Sequence, residues 1–490
     1  MADTYNHIIK IKENKALTDT YNQKKKINRV VIAGMKSGCG KTMITMGLIR
    51  AFIKKGLKVS ARKCGPDYVD PSFHRKALSV ETGNLDSYFC EPEILNYLLS
   101  AFCDDSDLTL IEGVMGYYDG LAGISERAST YEIARVTRSP VVLVADASAV
   151  SVTLSSMIKG ILDYKKDNNI KAIILNKVSP AYYERIKSVV ENYCNIKVIG
   201  YLPKIKDIEI PSRHLGLMQA EEIDRINLKI DITAEKLAES VELKEILKIA
   251  GDAPAPDTKI PEPILETVNY FEDKNQKGEK ITVAIARDEA FSFYYDDNIR
   301  FIKQMGVNIV YFSPVRDERL PDDINGLILY GGYPEYYAEK LSKNTSMLRS
   351  VNEALKKGLP VIAECGGFLY LQRSLRDLED NEYRMCGVID GIAYNTGKSV
   401  RFGYVEATAL EDGIYGEKGT ELLAHEFHYY DCSLNGNDFE AKKPMAGGSY
   451  RCMFHKDMLA AGFLHIYAFG NITAYKNFLS KCFEYGNTIK

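Results

Sequence analysis

The sequence predicts an α/β protein in two units, each built on a parallel sheet and joined near residues 250–278. Three observations lead there. Short β-branched runs alternate with helical patterns, the texture of strands buried on both faces with crossover helices between them. A Pro-, Ala- and Asp-rich stretch, AGDAPAPDTKIPEP (250–263), interrupts this rhythm before it resumes at ITVAIA (281–286). And 490 residues are too many for one core, since domains run to about 100–200 residues each.

Residues 1–26 read as a charged, poorly ordered lead-in. In the first unit, 27–250, strands are expected at INRVVIAG (27–34), LKVSARK (57–63), LTLI (108–111), PVVLVA (140–145), KAIIL (171–175) and KVIGYL within 196–202. The first crossover helix runs from Thr42, with Ile44, Leu48, Ile49, Phe52 and Ile53 on one stripe, and ends at Lys54-Lys55-Gly56. Residues 251–278 are expected to be a linker. The second unit, 279–490, places strands at ITVAIA, NIVYF (308–312), GLILY (326–330) and LPVIAE (359–364).

Composition narrows the function classes. The 63 basic and 66 acidic residues leave a net charge of -3, which gives no electrostatic case for nucleic acid or an anionic membrane as partner. No run of about 18 apolar residues is present, so no membrane span is expected. The polar N-terminus lacks the apolar core of a signal peptide, which points to a cytoplasmic location. The ten cysteines are scattered without paired spacing, as reduced thiols are.

The first strand runs into GMKSGCGKT (34–42) and then a helix, the context that identifies a phosphate-binding P-loop. Gly38 and Gly40 let backbone N–H groups close on phosphate oxygens, and the helix N-terminus adds partial positive charge. Lys41 is expected at the β- and γ-phosphates of ATP, and the Thr42 hydroxyl on Mg²⁺. Five residues separate Gly34 and Gly40, one more than the usual four. That loop resembles those of dethiobiotin synthetase and the MinD-like ATPases. Lys36 falls where the latter carry a second lysine that reaches phosphate across a dimer, so a homodimer stays open; an exposed loop lysine is the simpler reading.

Acidic residues follow successive strands, at the edge where open α/β sheets bind ligands. ARKCGPDYVDP (61–71) carries Asp67 and Asp70, and LTLIEGVMGYYDG (108–120) carries Glu112 and Asp119. Each alone reads as a turn or cap; four behind a P-loop sheet read as a Mg²⁺ and substrate set, because Mg²⁺ takes a few carboxylates beside phosphate and water. Asn176 after KAIIL fits the adenine edge or a simple turn equally, and Asp146 is similarly ambiguous.

In the second unit, LPVIAECGGFLYLQ (359–372) is a strand, a Cys, two glycines and a helical run. This is the thiol form of a nucleophile elbow. The turn exposes Cys365, the helix N-terminus is expected to lower its pKa, and the Gly366 N–H is free to face an oxyanion. The backbone of GGYPE (331–335), at Gly332, is the candidate second donor. A Cys nucleophile needs a base; His465 in AGFLHIYAFGN is the candidate, with His425 and His428 of HEFHYYD as rivals.

Taken in order, SGCGKT, GPDYVDPSFH, NLDSYF, EGVMGYYDG, VVLVADAS, ILNKV, GYLP, IPSRHLGL, GGYPE, ECGGFLYL, AHEFHYYD and GFLH resemble the cobyrinic acid/cobyric acid synthase group of glutamine amidotransferases, on the side of the a,c-diamide synthases, across about 27–490. The resemblance implies a dethiobiotin-synthetase-like amidoligase domain followed by a class I glutamine amidotransferase domain. It implies that Cys365 attacks L-glutamine and forms a glutamyl thioester while His465 shuttles protons. Ammonia then displaces phosphate from an acyl phosphate made with ATP and Mg²⁺, and the c and a acetates of cobyrinic acid become amides. Lys36, Lys41 and Lys63 would balance phosphate charge; Thr42, Asp67 and Glu112 would hold the metal; Asp70 and Asp119 would face metal or substrate. Tyr467 stands where many class I enzymes carry a triad Glu, a departure the cobyrinate group shares. Hydrogenobyrinic acid, Ni-sirohydrochlorin or the cobyric acid step are the nearest rivals. A MinD/ParA-like ATPase switch is more distant, because it gives ECGGFLYL no role. A stand-alone glutaminase leaves the GKT and acidic set idle.

Overall fold

The computed structural model describes residues 26–103, 105–205, 220–257, 259–445 and 447–489; the lead-in before residue 26 and the IPSRHLGL segment lie outside them. The chain divides into two compact units, Met1–Pro261 and Glu262–Lys490.

The first unit carries strands β1 (Arg29–Gly34), β2 (Val59–Cys64), β3 (Asn84–Leu85), β4 (Leu108–Glu112), β5 (Val141–Asp146), β6 (Ile170–Asn176) and β7 (Lys197–Leu202). They form one sheet in the order β3-β2-β4-β1-β5-β6-β7, and every pairing is parallel. β1, β2, β4 and β5 are buried along their whole length, which is why β1, β4 and β5 read as mainly apolar or β-branched runs rather than alternating ones, while β2 buries Arg62 and Lys63 as well. The helix Lys41–Lys54 packs against Ala220–Ser240. Gly47 makes that approach close: a Cβ there would lie 2.7 Å from Thr233 and Leu237 side-chain carbons. Gly34, Cys64, Glu112, Asp146 and Asn176 all end strands on the same sheet edge, so the phosphate loop and the acidic residues share one rim.

The second unit is built on β8 (Thr282–Ala286), β9 (Asn308–Phe312), β10 (Gly326–Leu329) and β11 (Val361–Glu364). Next come β12 (Gln372–Arg376), β13 (Glu382–Arg384), β14 (Ile389–Asn395), β15 (Arg401–Ala409), β16 (Glu421–His428), β17 (Tyr430–Cys432), β18 (Phe439–Lys442) and β19 (Ser449–Cys452). β20 (Phe454–Lys456), β21 (Leu459–Gly462) and β22 (His465–Ile466) close the series. The central sheet runs β20-β21-β11-β10-β8-β9, parallel apart from the β20–β21 pair. The unit also holds two smaller sheets, β13-β12-β14-β17 and β19-β18-β15-β16-β22, which the sequence does not announce.

Within the stretch read as a linker, Glu262–Gln276 is a helix. Ile264, Thr267 and Phe271 bury its inner face, and Phe271 stacks on Phe483 with ring centroids 5.5 Å apart. Its polar residues are the solvent face of an amphipathic helix.

Candidate active sites

In the first unit, Gly40 caps the helix Lys41–Lys54 in the left-handed region, at φ 93. A Cβ there would sit 2.1 Å from Asn176 Nδ2, and that amide donates to the Cys39 carbonyl at 2.8 Å. Asn176 therefore buttresses the loop backbone. Gly38 also has positive φ, at 70. Lys36 is exposed at the loop's tip. Lys41 is buried and donates through Nζ to the Met115 carbonyl; burial lowers its pKa, so phosphate would relieve a poorly compensated cation.

The acidic residues divide by role. Thr42 Oγ1 donates to Glu112 Oε1 at 2.6 Å, and Lys63 Nζ reaches the same oxygen at 2.8 Å. Lys63 also pairs with Asp70 Oδ2 at 2.5 Å. His74 Nε2 lies 3.1 Å from Glu112 Oε2. Burial opposes charge on Glu112, but Lys63 and His74 hold its carboxyl well below the usual range. Lys63 is raised well above its usual value by Asp70 and Glu112 despite its own burial. Asp67 instead accepts from Val69 N and Asp70 N at 2.8 and 3.2 Å, capping the helix Val69–Leu78. Burial and the nearby Asp70 push it up to about 7. Asp119 accepts from Gly116 N at 2.9 Å and closes its own turn. His74 was given no role from sequence, although its spacing from Asp70, i to i+4 on one helix, places the two on one face. Glu112 Oε2 is buried and has only the His74 ring nitrogen beside it. With the Thr42 hydroxyl it offers the hard oxygen donors that Mg²⁺ takes beside phosphates, so these residues fit the ion.

In the second unit, β11 delivers Glu364 and Cys365 side by side. Cys365 sits at φ 47 and ψ −105, the strained turn of a nucleophile elbow. Its N–H bonds Gly462 O at 2.7 Å, and its carbonyl starts the helix Gly366–Leu371 by accepting from Leu369 N at 2.9 Å. The paired glycines are steric requirements. A Cβ on Gly367 would lie 1.9 Å from the Leu329 carbonyl, and one on Gly366 would lie 2.8 Å from Gly332 N. Gly332 and Gly366 thus abut. The expected low thiol pKa is corrected: burial, then Glu335, push Cys365 up to about 12, and the Gly366 N–H only partly offsets them. A six-residue helix end cannot outweigh the desolvation of this half-buried thiol and the carboxylates near it.

His465 opens β22, opposite His425 on β16. Its Nδ1 lies 3.6 Å from Glu364 Oε2. Tyr467 takes no part in that contact; its hydroxyl donates to Asp297 at 2.9 Å. The rivals have other tasks. Burial, then His465, lower His425 to about 3, and His428 bonds Tyr430 O at 2.7 Å while stacking flat on Phe463. Sequence reading also missed Glu364; its only signal was its place beside the nucleophile.

Glu335, in the same loop as Gly332, keeps a buried carboxyl oxygen without a hydrogen-bond partner, and burial pushes it up to about 8. Between the ordinary glutamate range and that value, the folded protein holds a proton the unfolded chain has released. Stability is therefore fully present below the unfolded pKa, falls as pH rises across that window, and levels off above it. Glu335→Gln is expected to raise the melting temperature of this unit at pH 8 and leave it unchanged near pH 4. The gain would be up to a few kcal/mol, at about 1.4 kcal/mol per pH unit. Calorimetry at the two pH values checks this; equal melting at pH 8 would show that Glu335 is partnered.

A phosphate loop with a carboxylate–lysine rim on one sheet, and a strained cysteine elbow on another, fit a glutamine-dependent amide ligase that uses ATP. Comparison with known proteins agrees. Residues 30–217 match the CobQ/CobB/MinD/ParA nucleotide binding domain, and 282–471 match the CobB/CobQ-like glutamine amidotransferase domain. The chain is 39% identical to a cobyrinate a,c-diamide synthase of Caldanaerobacter subterraneus subsp. tengcongensis, covering 93% of this chain and 98% of that protein. It is 39% identical to the Clostridium tetani enzyme of the same name, over 92% and 99% of the two chains. For the Listeria monocytogenes enzyme the identity is 36%, over 91% and 97%. The chain belongs to the cobyrinate a,c-diamide synthase family, amide-forming ligases of cobalamin biosynthesis. Among the described residues no helix is long and apolar enough to cross a membrane.

Proposed function

We propose that this chain converts the a- and c-acetate carboxylates of cobyrinic acid to amides, with glutamine as nitrogen donor and ATP as activator. The observation that carries this reading is the pairing of a strained Cys365 turn with an intact phosphate loop in one chain whose relatives match along nearly their whole length.

At Cys365 the thiol is held protonated, so attack needs a base acting with it. His465 takes the proton as the sulfur–carbon bond forms at the glutamine side-chain amide. Gly332 and Gly366 N–H groups face the oxyanion. His465 then returns the proton to the leaving nitrogen as the carbon–nitrogen bond breaks, freeing ammonia; water cleaves the thioester to glutamate.

At the rim of the first sheet, Lys41 and Lys63 would meet phosphate charge, and Thr42 with Glu112 would hold Mg²⁺. When bound, the ion neutralises charge on the transferring phosphoryl group. Asp70 holds Lys63 in place. Phosphorylation supplies the leaving group that a carboxylate lacks, and ammonia displaces it.

The substrate is tested by offering cobyrinic acid, hydrogenobyrinic acid and Ni-sirohydrochlorin separately with ATP and glutamine. Cobyrinic acid is expected to give the highest kcat/KM, by at least about tenfold, roughly 1.4 kcal/mol of discrimination. Preference for either of the others would reassign the tetrapyrrole and leave the chemistry standing.

A further inference from the structure

We infer that Glu364, the residue immediately before the nucleophile, is the positioning carboxylate for His465, filling from β11 the place that Tyr467 leaves vacant after the histidine. The inference rests on the assignment of Cys365 and His465 above.

The geometry is specific. Glu364 and His465 are each 1% exposed. One carboxylate oxygen of Glu364 lies 3.6 Å from His465 Nδ1, and the other accepts the Ile466 N–H at 3.2 Å. A single side chain therefore holds both the ring and the backbone that carries it. β11 and β21 run parallel with Glu364 opposite Gly462, so the chain returns from Gly462 to His465 within three residues of the nucleophile's own strand. The 3.6 Å separation is beyond a good hydrogen bond, and such contacts tighten once the imidazole takes a proton.

The titratable groups that the neighbouring elements bring near this pair are neutral or committed elsewhere. His425, opposite on β16, is held neutral. Tyr330, Tyr415 and Tyr475, which face Glu364, are all raised by burial and stay neutral. Glu426 is committed to Lys443 at 2.7 Å and to the Tyr450 hydroxyl at 2.7 Å. Glu335 faces Cys365. Glu364 is thus the carboxylate set against His465. It keeps the Nδ1 proton on its own side, which leaves Nε2 to accept the thiol proton, and it stabilises the imidazolium that forms. It does not take the proton itself.

The test uses Glu364→Gln, whose amide oxygen can still accept from Ile466 N and which therefore removes the charge selectively. Glutaminase kcat is expected to fall about 10²-fold or more at unchanged glutamine KM. The acid limb of kcat/KM is expected to move to lower pH by about one unit or more, because the imidazolium loses its counter-charge. Glu364→Asp should recover part of both. Amidation with free ammonia, assayed on the same samples, reports an intact fold. Glutaminase kcat within about twofold of wild type, or an unmoved acid limb with intact ammonia-dependent amidation, overturns the inference. Should Glu364→Gln also lose the ammonia-dependent reaction, Glu364→Asp decides: glutaminase kcat partly recovered beside intact ammonia-dependent amidation is expected, and no recovery beside that intact amidation overturns the inference. Cys365→Ser and His465→Ala run alongside: glutaminase activity surviving in those variants would sink the site assignment itself, a failure distinct from that of Glu364.

Discussion

Cys365→Ser is expected to abolish amidation supported by glutamine, by at least about 10³-fold, and to leave amidation supported by free ammonia within about twofold of wild type. Serine keeps the volume and the turn, so the φ of 47 at this position is no harder to hold than before. What changes is the nucleophile. The thiol already requires help to ionise, because burial pushes it up to about 12; a serine hydroxyl is a far weaker acid and His465 cannot compensate. Other thiols offer no substitute: Cys386 and Cys432 are buried and burial raises both. Steady-state assays with each nitrogen source measure both effects. Retained glutamine-dependent turnover would mean that the elbow is structural.

The complementary result is expected from Lys41→Ala. Amidation should fall about 10³-fold with glutamine and with ammonia alike, because the phosphoryl transfer that activates the carboxylate loses its main cation. Glutamine hydrolysis in the absence of the tetrapyrrole should stay within about twofold of wild type, since Cys365 and His465 belong to the other unit. Lys41 is the residue to change rather than Lys36. Lys41 is buried beneath the loop with its ammonium on the Met115 carbonyl, whereas Lys36 is exposed. Ammonia-dependent amidation that survives Lys41→Ala would remove the phosphate loop from the mechanism.

Much of this was legible in the sequence, and what was not has physical causes. Strands such as β1, β5, β8 and β10 announced themselves as short apolar runs because their residues are buried on both faces, as Val30, Val31 and Ile32 are, whereas β3, β20 and β21 of the same sheets did not. The strands of the smaller sheets, such as β15 with its alternating exposure, lack that signature, and the helix Glu262–Gln276 hid its buried stripe among polar residues. The phosphate loop and the Cys-Gly-Gly turn were readable because backbone geometry dictates glycine at fixed positions. Partnerships across the sheet were not. That Glu364 faces His465, or that His74 faces Glu112, follows from how strands and helices meet. The thiol of Cys365 was misjudged for the same reason: a helix N-terminus is visible in sequence, and desolvation is not.

The central claim is that glutamine nitrogen, released in one unit, becomes amide nitrogen on a tetrapyrrole activated in the other. The direct test supplies cobyrinic acid, ATP and glutamine labelled with nitrogen-15 at the side-chain amide, and reads the corrinoid by mass spectrometry. Two successive amidations are predicted, each carrying one labelled nitrogen, with neither formed when ATP is withheld. A corrinoid that stays unamidated while ATP and glutamine are both consumed would contradict the account.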